Sequence, residues 1–370
     1  MRSNILRMTS LHIDTRPDWR GGQNQVLLTL RGLRERGHDV ELLALGGGAL
    51  EHRARAEGFS VHAIPPHRAR LGGARILRKR LAQGKFPIVH AHDPHGLTVA
   101  WLARAHRRTV LIAQRRVANP LSRSRIGLAR YRTAHMIVAI SRFVAQSVID
   151  SGIDPARVEI NYEGVEIPPA VTQEARRAAR QRLGITDDVI LLGCVGYLLP
   201  EKGQETLIRA LPAVRDRFPH CRLFLAGDGP CRKPLQSLAC DLGVADAVIF
   251  AGFVGNIGAV YHALDIFLFP SLAEPLGTSL LAAMSYGLPV IAVAGGGVPE
   301  IVDSGRSGIL VPSSVAERFA DAILRLLSNR DEAAQMGFAA RATIQQRFSA
   351  AHMVEGTLEK YRKLLGESVQ

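Results

Sequence analysis

The sequence lacks several features that would place a chain in a specific class at once. No run of about 18 apolar residues is present to span a bilayer, and the first residues lack the uninterrupted apolar core of a signal peptide. The four cysteines show neither a CxxC nor another metal-ligand spacing, so we expect reduced thiols in a cytoplasmic protein. The GxGxxG fingerprint is also missing, which argues against a nicotinamide cofactor.

Positive charge is present but unevenly distributed over a chain of 370 residues, a length that predicts two domains. Residues 1–170 contain 27 Lys and Arg against 13 Asp and Glu, whereas residues 171–370 contain 20 of each. The whole excess of +14 therefore falls in the first half. This asymmetry suggests that one domain faces an anionic partner. Nucleic acid is disfavoured, because aromatic residues are not interleaved with the charges.

Part of this charge lies in one amphipathic segment. Seven cations and no acids occur from Arg68 to Lys85, and Leu71, Ala74 and Leu77 recur at helical spacing. A basic amphipathic helix can bind an anionic membrane surface. It can equally present a solvated face, which is the usual role of a charge run.

Apolar runs of strand length alternate with helical patterns along the whole chain, which predicts α/β domains with parallel sheets. The first strand is expected at Ile5–Leu11 and the first helix at Gln23–Arg36. Two consecutive prolines, Pro168 and Pro169, predict the domain boundary.

The most informative stretch is 267–299. A buried strand is followed by a polar elbow with Glu274 and Gly277, and then by an apolar helix that is expected to begin at Thr278. The start of a helix offers unpaired N–H groups and a positive dipole end, which suit a phosphate. Open α/β sheets bind ligands at the carboxyl ends of their strands, so Glu274 is a candidate binding residue. An ordinary crossover with a solvated Glu274 is the alternative.

This stretch resembles the signature of the family-4 retaining glycosyltransferases, enzymes of the twin-Rossmann GT-B fold that use nucleotide-sugar donors. Their pattern is roughly E-P-x-G-x-x-x-x-E-A-M-x-x-G-x-P-V followed by G-G-x-P-E. The chain matches it at Glu274, Pro275, Gly277, Ala283, Met284, Gly287, Pro289, Val290, Gly296, Gly297, Pro299 and Glu300. Ala282 stands where the family has its second glutamate, which usually holds the ribose hydroxyls.

The resemblance covers about residues 3–365 and implies an α/β protein of two facing Rossmann-like domains with a deep interdomain cleft. It assigns residues 1–169 to a basic acceptor-binding domain and residues 170–350 to a nucleotide-sugar-binding domain. Residues 351–370 are expected to form a helix that crosses back to the first domain.

The resemblance also implies a donor site with Lys202 and Glu274 as its catalytic residues. Lys202 lies in a loop that resembles G-R-L-x-x-x-K-G and is expected to meet the donor diphosphate, while Glu274 orients donor hydroxyls. The other expected donor-binding residues are Gly21, Gly22, Gln23, Tyr197, Gly227, Phe253, Val254, Gly277, Thr278, Ser279 and Glu300. Tyr197 replaces the arginine that is usual in its loop. A UDP-sugar is the expected donor, and GDP- and ADP-sugars are the alternatives. No cofactor is expected. The absence of a D-x-D motif predicts that the reaction is independent of a metal.

The fourth predicted strand ends in three histidines and an aspartate. Alternation places His90 and His92 on one face, as some zinc sites require, but no glutamate lies at a useful spacing. The segment resembles the family's V-H-x-H-D, which implies that His92 and Asp93 meet the acceptor. Arg115 stands where many relatives have a histidine, and together with Arg116 it can bind a phosphate or carboxylate of the acceptor.

These features together predict a retaining glycosyltransferase that acts on an anionic glycolipid or envelope polysaccharide precursor, such as a lipopolysaccharide core. We expect it to be peripheral on the cytoplasmic face of the inner membrane. A sugar-nucleotide epimerase of the same fold is one alternative, although it would need further acid–base carboxylates. A scaffold that has lost activity is another, because Tyr197, Arg115 and Ala282 each replace a residue usual at the site.

Overall fold

The structure is a computed structural model that describes residues 7–122 and 125–366. The chain divides into two compact units, one formed by Met1–Gly164 with Ala350–Gln370 and the other by Val165–Ser349. In the described residues, each unit contains one parallel sheet accompanied by helices. The predicted α/β class with two Rossmann-like domains is therefore confirmed.

The first unit contains a seven-stranded sheet in the order β3-β2-β1-β4-β5-β6-β7 within its described residues. Its strands are β1 (Thr9–Asp14), β2 (Asp39–Leu45), β3 (Ser60–Ile64), β4 (Ile88–Ala91), β5 (Val110–Arg115), β6 (Met136–Ala139) and β7 (Val158–Ile160). Its helices are α1 (Gly21–Glu35), α2 (Ala49–Ala56), α3 (Ala69–Leu81), α4 (Pro94–Leu102), α5 (Arg125–Arg132), α6 (Arg142–Asp150) and, from the end of the chain, α14 (Ala350–Leu365). The strand order reverses between β1 and β4, and such switch points are where open sheets bind ligands.

The second unit contains a six-stranded sheet in the order β10-β9-β8-β11-β12-β13 within its described residues. Its strands are β8 (Ile190–Val195), β9 (Cys221–Ala226), β10 (Val248–Gly252), β11 (Ile266–Phe269), β12 (Val290–Val293) and β13 (Ile309–Val311). Its helices are α7 (Gln173–Arg182), α8 (Gln204–Arg217), α9 (Arg232–Asp241), α10 (Ile257–Ala263), α11 (Thr278–Ser285), α12 (Ala316–Ser328) and α13 (Arg330–Arg347). Here the switch point lies between β8 and β11.

Continuous apolar runs explain why the central strands form. Every residue of β4, β6, β11 and β12 is buried, as expected for parallel strands that are covered on both faces. The last helix, α14, completes the core of the first unit, where Val354, Leu358 and Tyr361 join a buried cluster with Leu28 and Leu33 of α1.

Several predicted boundaries differ from the structure. The first strand runs to Asp14 rather than ending at Leu11; residues 5 and 6 of the prediction lie outside the described residues. Helix α1 begins at Gly21, so Gly21 and Gly22 belong to its first turn rather than to a preceding loop. Several helices, among them α2 and α4, were not predicted. Gly48 is the N-cap of α2.

The basic segment forms a helix, as predicted, over Ala69–Leu81. Six of its seven cations are exposed, namely Arg68, Arg70, Arg75, Arg78, Lys79 and Lys85. Arg80 is half-buried and forms an ion pair with Glu41 at 2.7 Å. Within 7–122 and 125–366, none of the helices combines the length and apolar character that crossing a bilayer requires.

Candidate functional site

In the second unit, the two predicted catalytic side chains contact each other at the switch point. Lys202 ends the short helical turn Pro200–Lys202 after β8, and Glu274 lies in the elbow after β11. The Lys202 Nζ is 2.6 Å from Oε2 of Glu274, and the Ser271 hydroxyl donates to the same oxygen at 2.9 Å. The lysine side chain is 29% exposed and the glutamate 15%. Both groups therefore remain accessible to a ligand.

Glycines allow the loops around this pair to approach one another. A Cβ on Gly296 would lie 2.1 Å from the carbonyl oxygen of Glu274, which accepts a hydrogen bond from Gly297 N at 2.8 Å. A Cβ on Gly227 would lie 1.9 Å from the carbonyl oxygen of Gly196. No side chain fits at either position, so the loops after β8, β9, β11 and β12 are held together by backbone contacts.

The other predicted donor-binding residues of this unit also lie at the carboxyl edge of the sheet. Tyr197 and Phe253 follow β8 and β10, with 50% and 81% of their surfaces exposed. Helix α11 begins at Thr278 with Gly277 as its N-cap and without a side-chain cap; Ser279 lies in the first turn. Val254 and Glu300 are half-buried. The structure thus brings Tyr197, Lys202, Gly227, Phe253, Val254, Glu274, Gly277, Thr278, Ser279 and Glu300 to one edge, while their roles stay predictions.

In the first unit, Asp93 acts as a structural cap. It is buried, and its carboxylate accepts hydrogen bonds from the N–H groups of His95 and Gly96 at the start of α4. It also accepts from the N–H and hydroxyl of Thr15, at 2.6 and 2.9 Å. Asp93 therefore joins the loops after β1 and β4 at the switch point. Its predicted contact with an acceptor would have to compete with these bonds.

The two predicted arginines also have internal partners. Arg115 is buried, donates to the backbone oxygen of Asn119 and lies 3.3 Å from the Tyr131 hydroxyl. Arg116 pairs with the buried carboxylate of Glu163 at 2.7 Å and donates to the carbonyl oxygen of His92 at 2.7 Å. Its side chain also lies against Gly22, where a Cβ would be 3.4 Å from Cδ of Arg116.

Asp14 is a further carboxylate at the same edge that the sequence did not reveal. It is buried at the end of β1 and accepts hydrogen bonds from the N–H of Arg16 and from the side chain of Gln23. Burial, reinforced by the charge of Asp93, raises the pKa of Asp14 to about 6. Of the predicted residues Gly21, Gly22 and Gln23, the last bonds to this carboxylate, and the two glycines precede it in the first turn of α1.

Three histidines form a buried cluster on β1 and β4. His12, which was not predicted, pairs in register with His90, and His92 follows β4. Burial lowers the pKa of His12 to about 3 and holds the pKa values of His90 and His92 well below their ordinary range. All three rings are therefore neutral at physiological pH. A longer first strand in the prediction would have placed His12 beside His90 in the sheet. The predicted strand ended at Leu11, one residue before His12.

Within the described residues, the ligand atoms of these three histidines lie within 4.8 Å of one another, which is close enough to hold a metal ion. The geometry of the cluster does not favour one. The ring of His92 stacks on those of His12 and His90, with interplanar angles of 13° and 22°. Every ring nitrogen of the three also has a protein partner.

Comparisons with known proteins identify the family of this chain. Residues 175–343 match the family described as Glycosyl transferases group 1, and residues 19–167 match Glycosyltransferase Family 4. A GDP-mannose-dependent alpha-(1-6)-phosphatidylinositol monomannoside mannosyltransferase of Mycobacterium tuberculosis (strain CDC 1551 / Oshkosh) is 32% identical over 314 residues, which cover 82% of this chain and 71% of the relative. The chain belongs to the group 1/family 4 glycosyltransferases.

This glycosyltransferase is also 29% identical to a D-inositol 3-phosphate glycosyltransferase of Stackebrandtia nassauensis, with 95% of this chain and 87% of the relative covered. The crystal structure of Anabaena Alr3699/HepE with UDP and glucose aligns with a TM-score of 0.85 at 23% identity, covering 96% of this chain and 99% of that one. This likeness supports the GT-B fold. The prediction of a glycosyltransferase is confirmed, and the comparisons give no support to an epimerase.

Proposed function

We propose that this glycosyltransferase moves a sugar from a nucleoside diphosphate to an anionic acceptor, with retention at the anomeric carbon. The observation that carries the proposal is the Lys202–Glu274 pair at the switch point of the second sheet. A lysine ammonium has three N–H donors, so Lys202 can keep its bond to Glu274 while it donates to a phosphate oxygen.

The residues of the site have separate roles in the proposed reaction. Negative charge builds on the diphosphate as its bond to the sugar breaks, and Lys202 and the backbone N–H groups at the start of α11 stabilise that charge. Lys202 and Ser271 both contact Oε2 of Glu274, which fixes the carboxylate so that Oε1 can accept a hydrogen bond from a donor hydroxyl. Because cations and amides neutralise the leaving group, the proposed reaction needs no metal.

We propose UDP as the donor nucleotide, in line with the Anabaena complex, and GDP is the alternative because the mycobacterial relative is named GDP-mannose-dependent. A thermal-shift series with UDP, GDP and ADP distinguishes them, since a bound nucleotide raises the apparent stability of the folded chain. A larger shift with GDP or ADP than with UDP would contradict the uridine assignment.

The acceptor is proposed to be an anionic glycolipid or envelope polysaccharide precursor, reached by a peripheral enzyme at the cytoplasmic face of the membrane. Support comes from the exposed cations of α3 and its surroundings and from Leu71, which is 71% exposed among them. Cations beside an exposed apolar residue suit an anionic lipid surface. Both relatives described above are named for acceptors that carry phosphate.

The catalytic proposal is tested with Glu274→Gln and its neighbour on the facing loop, Glu201→Gln. Purified protein is incubated with UDP- and GDP-sugars, and nucleotide release and sugar transfer to inositol 3-phosphate and to phosphatidylinositol vesicles are measured. Glu274→Gln should lose turnover, while Glu201→Gln, whose side chain is exposed, should keep it. Equal activity in both variants would contradict the assigned site. The NMR coupling of the product's anomeric proton reports whether the configuration is retained.

The membrane proposal is tested by flotation with anionic vesicles. Replacing Arg70 and Arg75 by glutamate should abolish flotation, and salt should weaken it in the native protein. The matched control replaces Arg177 and Arg306, which are exposed arginines of the second unit. Flotation that resists salt, or that both double variants lose equally, would contradict an electrostatic surface on α3.

A further inference from the structure

We infer that Ser10, His12 and His92 form a hydrogen-bond relay that fixes the orientation of Arg116, so that His12 is a positioning residue for this arginine. The acceptor-binding role predicted for Arg116 rests on the function proposed above, whereas the relay itself follows from the contacts of the first unit.

The relay is continuous along neighbouring side chains. The Arg116 guanidinium lies 3.3 Å from Nδ1 of His92, and Nε2 of His92 lies 2.8 Å from Nδ1 of His12. Nε2 of His12 lies 3.0 Å from the Ser10 hydroxyl. The two imidazoles and the serine are at least 96% buried, so no solvent competes for these bonds.

The charge on Arg116 determines the direction of every bond. Arginine is always protonated and can only donate, so Nδ1 of His92 must accept and carries no proton. A neutral imidazole has one N–H, which in His92 is then Nε2–H, and this group donates to Nδ1 of His12. By the same reasoning His12 carries its proton on Nε2 and donates to Ser10. One cation thus selects the tautomers of two histidines.

The relay in turn restricts Arg116. The guanidinium is also held by Glu163 and by the carbonyl oxygen of His92, both at 2.7 Å. If His92 carried its proton on Nδ1, that N–H would face an N–H of Arg116, and two donors would repel. Arg116 therefore disfavours this tautomer, and His12 supports the other one because its Nδ1 accepts a hydrogen bond from His92 Nε2–H. A buried donor without its acceptor is costly, so the loss of His12 would weaken the tautomer that binds Arg116.

The third histidine of the cluster provides a matched control. His90 stacks on His92 with ring centroids 4.3 Å apart, but its ring nitrogens contact the Tyr361 hydroxyl and Gln114 instead. His90 is therefore buried in the same cluster without being a member of the relay. Replacing it perturbs packing to a similar extent and leaves the bonds to Arg116 in place.

NMR spectroscopy of the ¹⁵N-histidine- and ¹⁵N-arginine-labelled full chain tests the relay directly. We expect His12 and His92 to show the Nε2–H tautomer, assigned by their loss in single variants. His12→Leu removes the acceptor of His92 Nε2–H, so the signals of that N–H and of Arg116 Nε–H should both shift. His12→Asn should restore both, because its side-chain oxygen can replace Nδ1 as the acceptor. An Nδ1–H tautomer of His92 in the native chain would overturn the relay.

Activity supplies a second readout through a double-variant cycle with His12→Leu and Arg116→Gln in the transfer assay. If His12 acts through Arg116, the effects are not multiplicative, and the coupling in kcat/KM is about tenfold, a size common for interacting residues. His90→Leu should show no such coupling, and multiplicative losses for His12 would overturn the positioning role.

Metal analysis completes the test. Stoichiometric zinc in the purified protein, or a zinc-dependent rise in Tm that His12→Leu abolishes, would show a metal site in place of the relay. Failure of the proposed function would appear separately, as an inactive enzyme whose NMR signals still report the predicted tautomers.

Discussion

The two sheets present their switch points in opposite ways. In the second unit, Lys202 and Glu274 form a partly exposed pair on loops that are held by backbone contacts, so the side chains themselves are available to a ligand. In the first unit, Asp93, Arg116 and His92 are largely buried and bind one another or the backbone. The same topology thus supports a binding site in one unit and a rigid polar framework in the other.

Matched substitutions of the two cations should separate these roles most clearly. Lys202→Met is expected to lower kcat by about 10²–10³-fold, the loss typical of removing one group that stabilises a leaving anion, with little change in Tm. Arg116→Met should instead destabilise the first unit by about 3 kcal/mol, because it removes the ion pair with the buried carboxylate of Glu163. Both tryptophans, Trp19 and Trp101, belong to the first unit, so their fluorescence in urea reports the unfolding of that unit. If Tm fell as much for Lys202→Met as for Arg116→Met, Lys202 would have a structural role as well, and the proposed difference between the two switch points would be wrong.

Gly227→Ala should show that the second site depends on backbone contacts. The added Cβ would overlap the carbonyl oxygen of Gly196, and the residue has φ of +144°, so we expect a loss of about 3 kcal/mol from strain and overpacking. Hydrogen exchange of the second unit measures this loss. Gly243→Ala is the control, because its φ is also positive but a Cβ there meets nothing within 4 Å. Equal losses would mean that backbone strain alone, and not the contact between loops, limits substitution.

Substitutions of Asp93 distinguish a structural role from a role in acceptor binding. Asp93→Ala should destabilise the first unit by about 2 kcal/mol, since a helix cap and the acceptor for the buried Thr15 N–H are both lost, partly offset by weaker repulsion of Asp14. Tryptophan fluorescence in urea measures the change. Asp93→Asn, which can still cap α4, should lose less. Unchanged stability together with lost transfer would favour the role that the family resemblance implies.

The sequence was informative where structure depends on local pattern. The apolar runs predicted the buried strands, and serine is a residue type typical of helix N-caps, a role that Ser141 has before α6, where its hydroxyl accepts from Val144 N. Asp93 followed by Pro94 is also a local pattern, typical of an N-cap before the first helical residue, and it could have predicted α4.

Residues that depend on distant pairing were harder to predict. Arg116 and Glu163 are 47 positions apart, and neither shows its partner in its own segment. His12 and Asp14 were missed because the predicted first strand ended at Leu11, and strand boundaries are set by tertiary contacts as much as by local sequence. An error of three residues thus concealed two polar groups of the first switch point.

The smallest predicted effect is the loss of stability of the first unit at acidic pH. It tests whether the polar groups at the first switch point are buried. The pKa of His12 is about 3 when folded and near 6.5 when unfolded, so between these values the unfolded chain binds a proton that the folded chain does not. Stability is therefore unaffected above pH 7 and falls as the pH drops below about 6.5.

At pH 5.5, His12 should lower the free energy of unfolding of the first unit by about 1.4 kcal/mol relative to pH 7.5. His90 and His92 act in the same direction, whereas Asp14 opposes them, because its raised pKa lets the folded chain take up a proton before the unfolded chain does. His12→Asn removes only the His12 contribution and keeps the bond to His92. Urea unfolding followed by tryptophan fluorescence should thus show that the variant loses about 1.4 kcal/mol less than the native chain between pH 7.5 and 5.5. An identical loss in both proteins would mean that His12 takes up its proton while the unit is still folded, and that the first switch point is as accessible as the second.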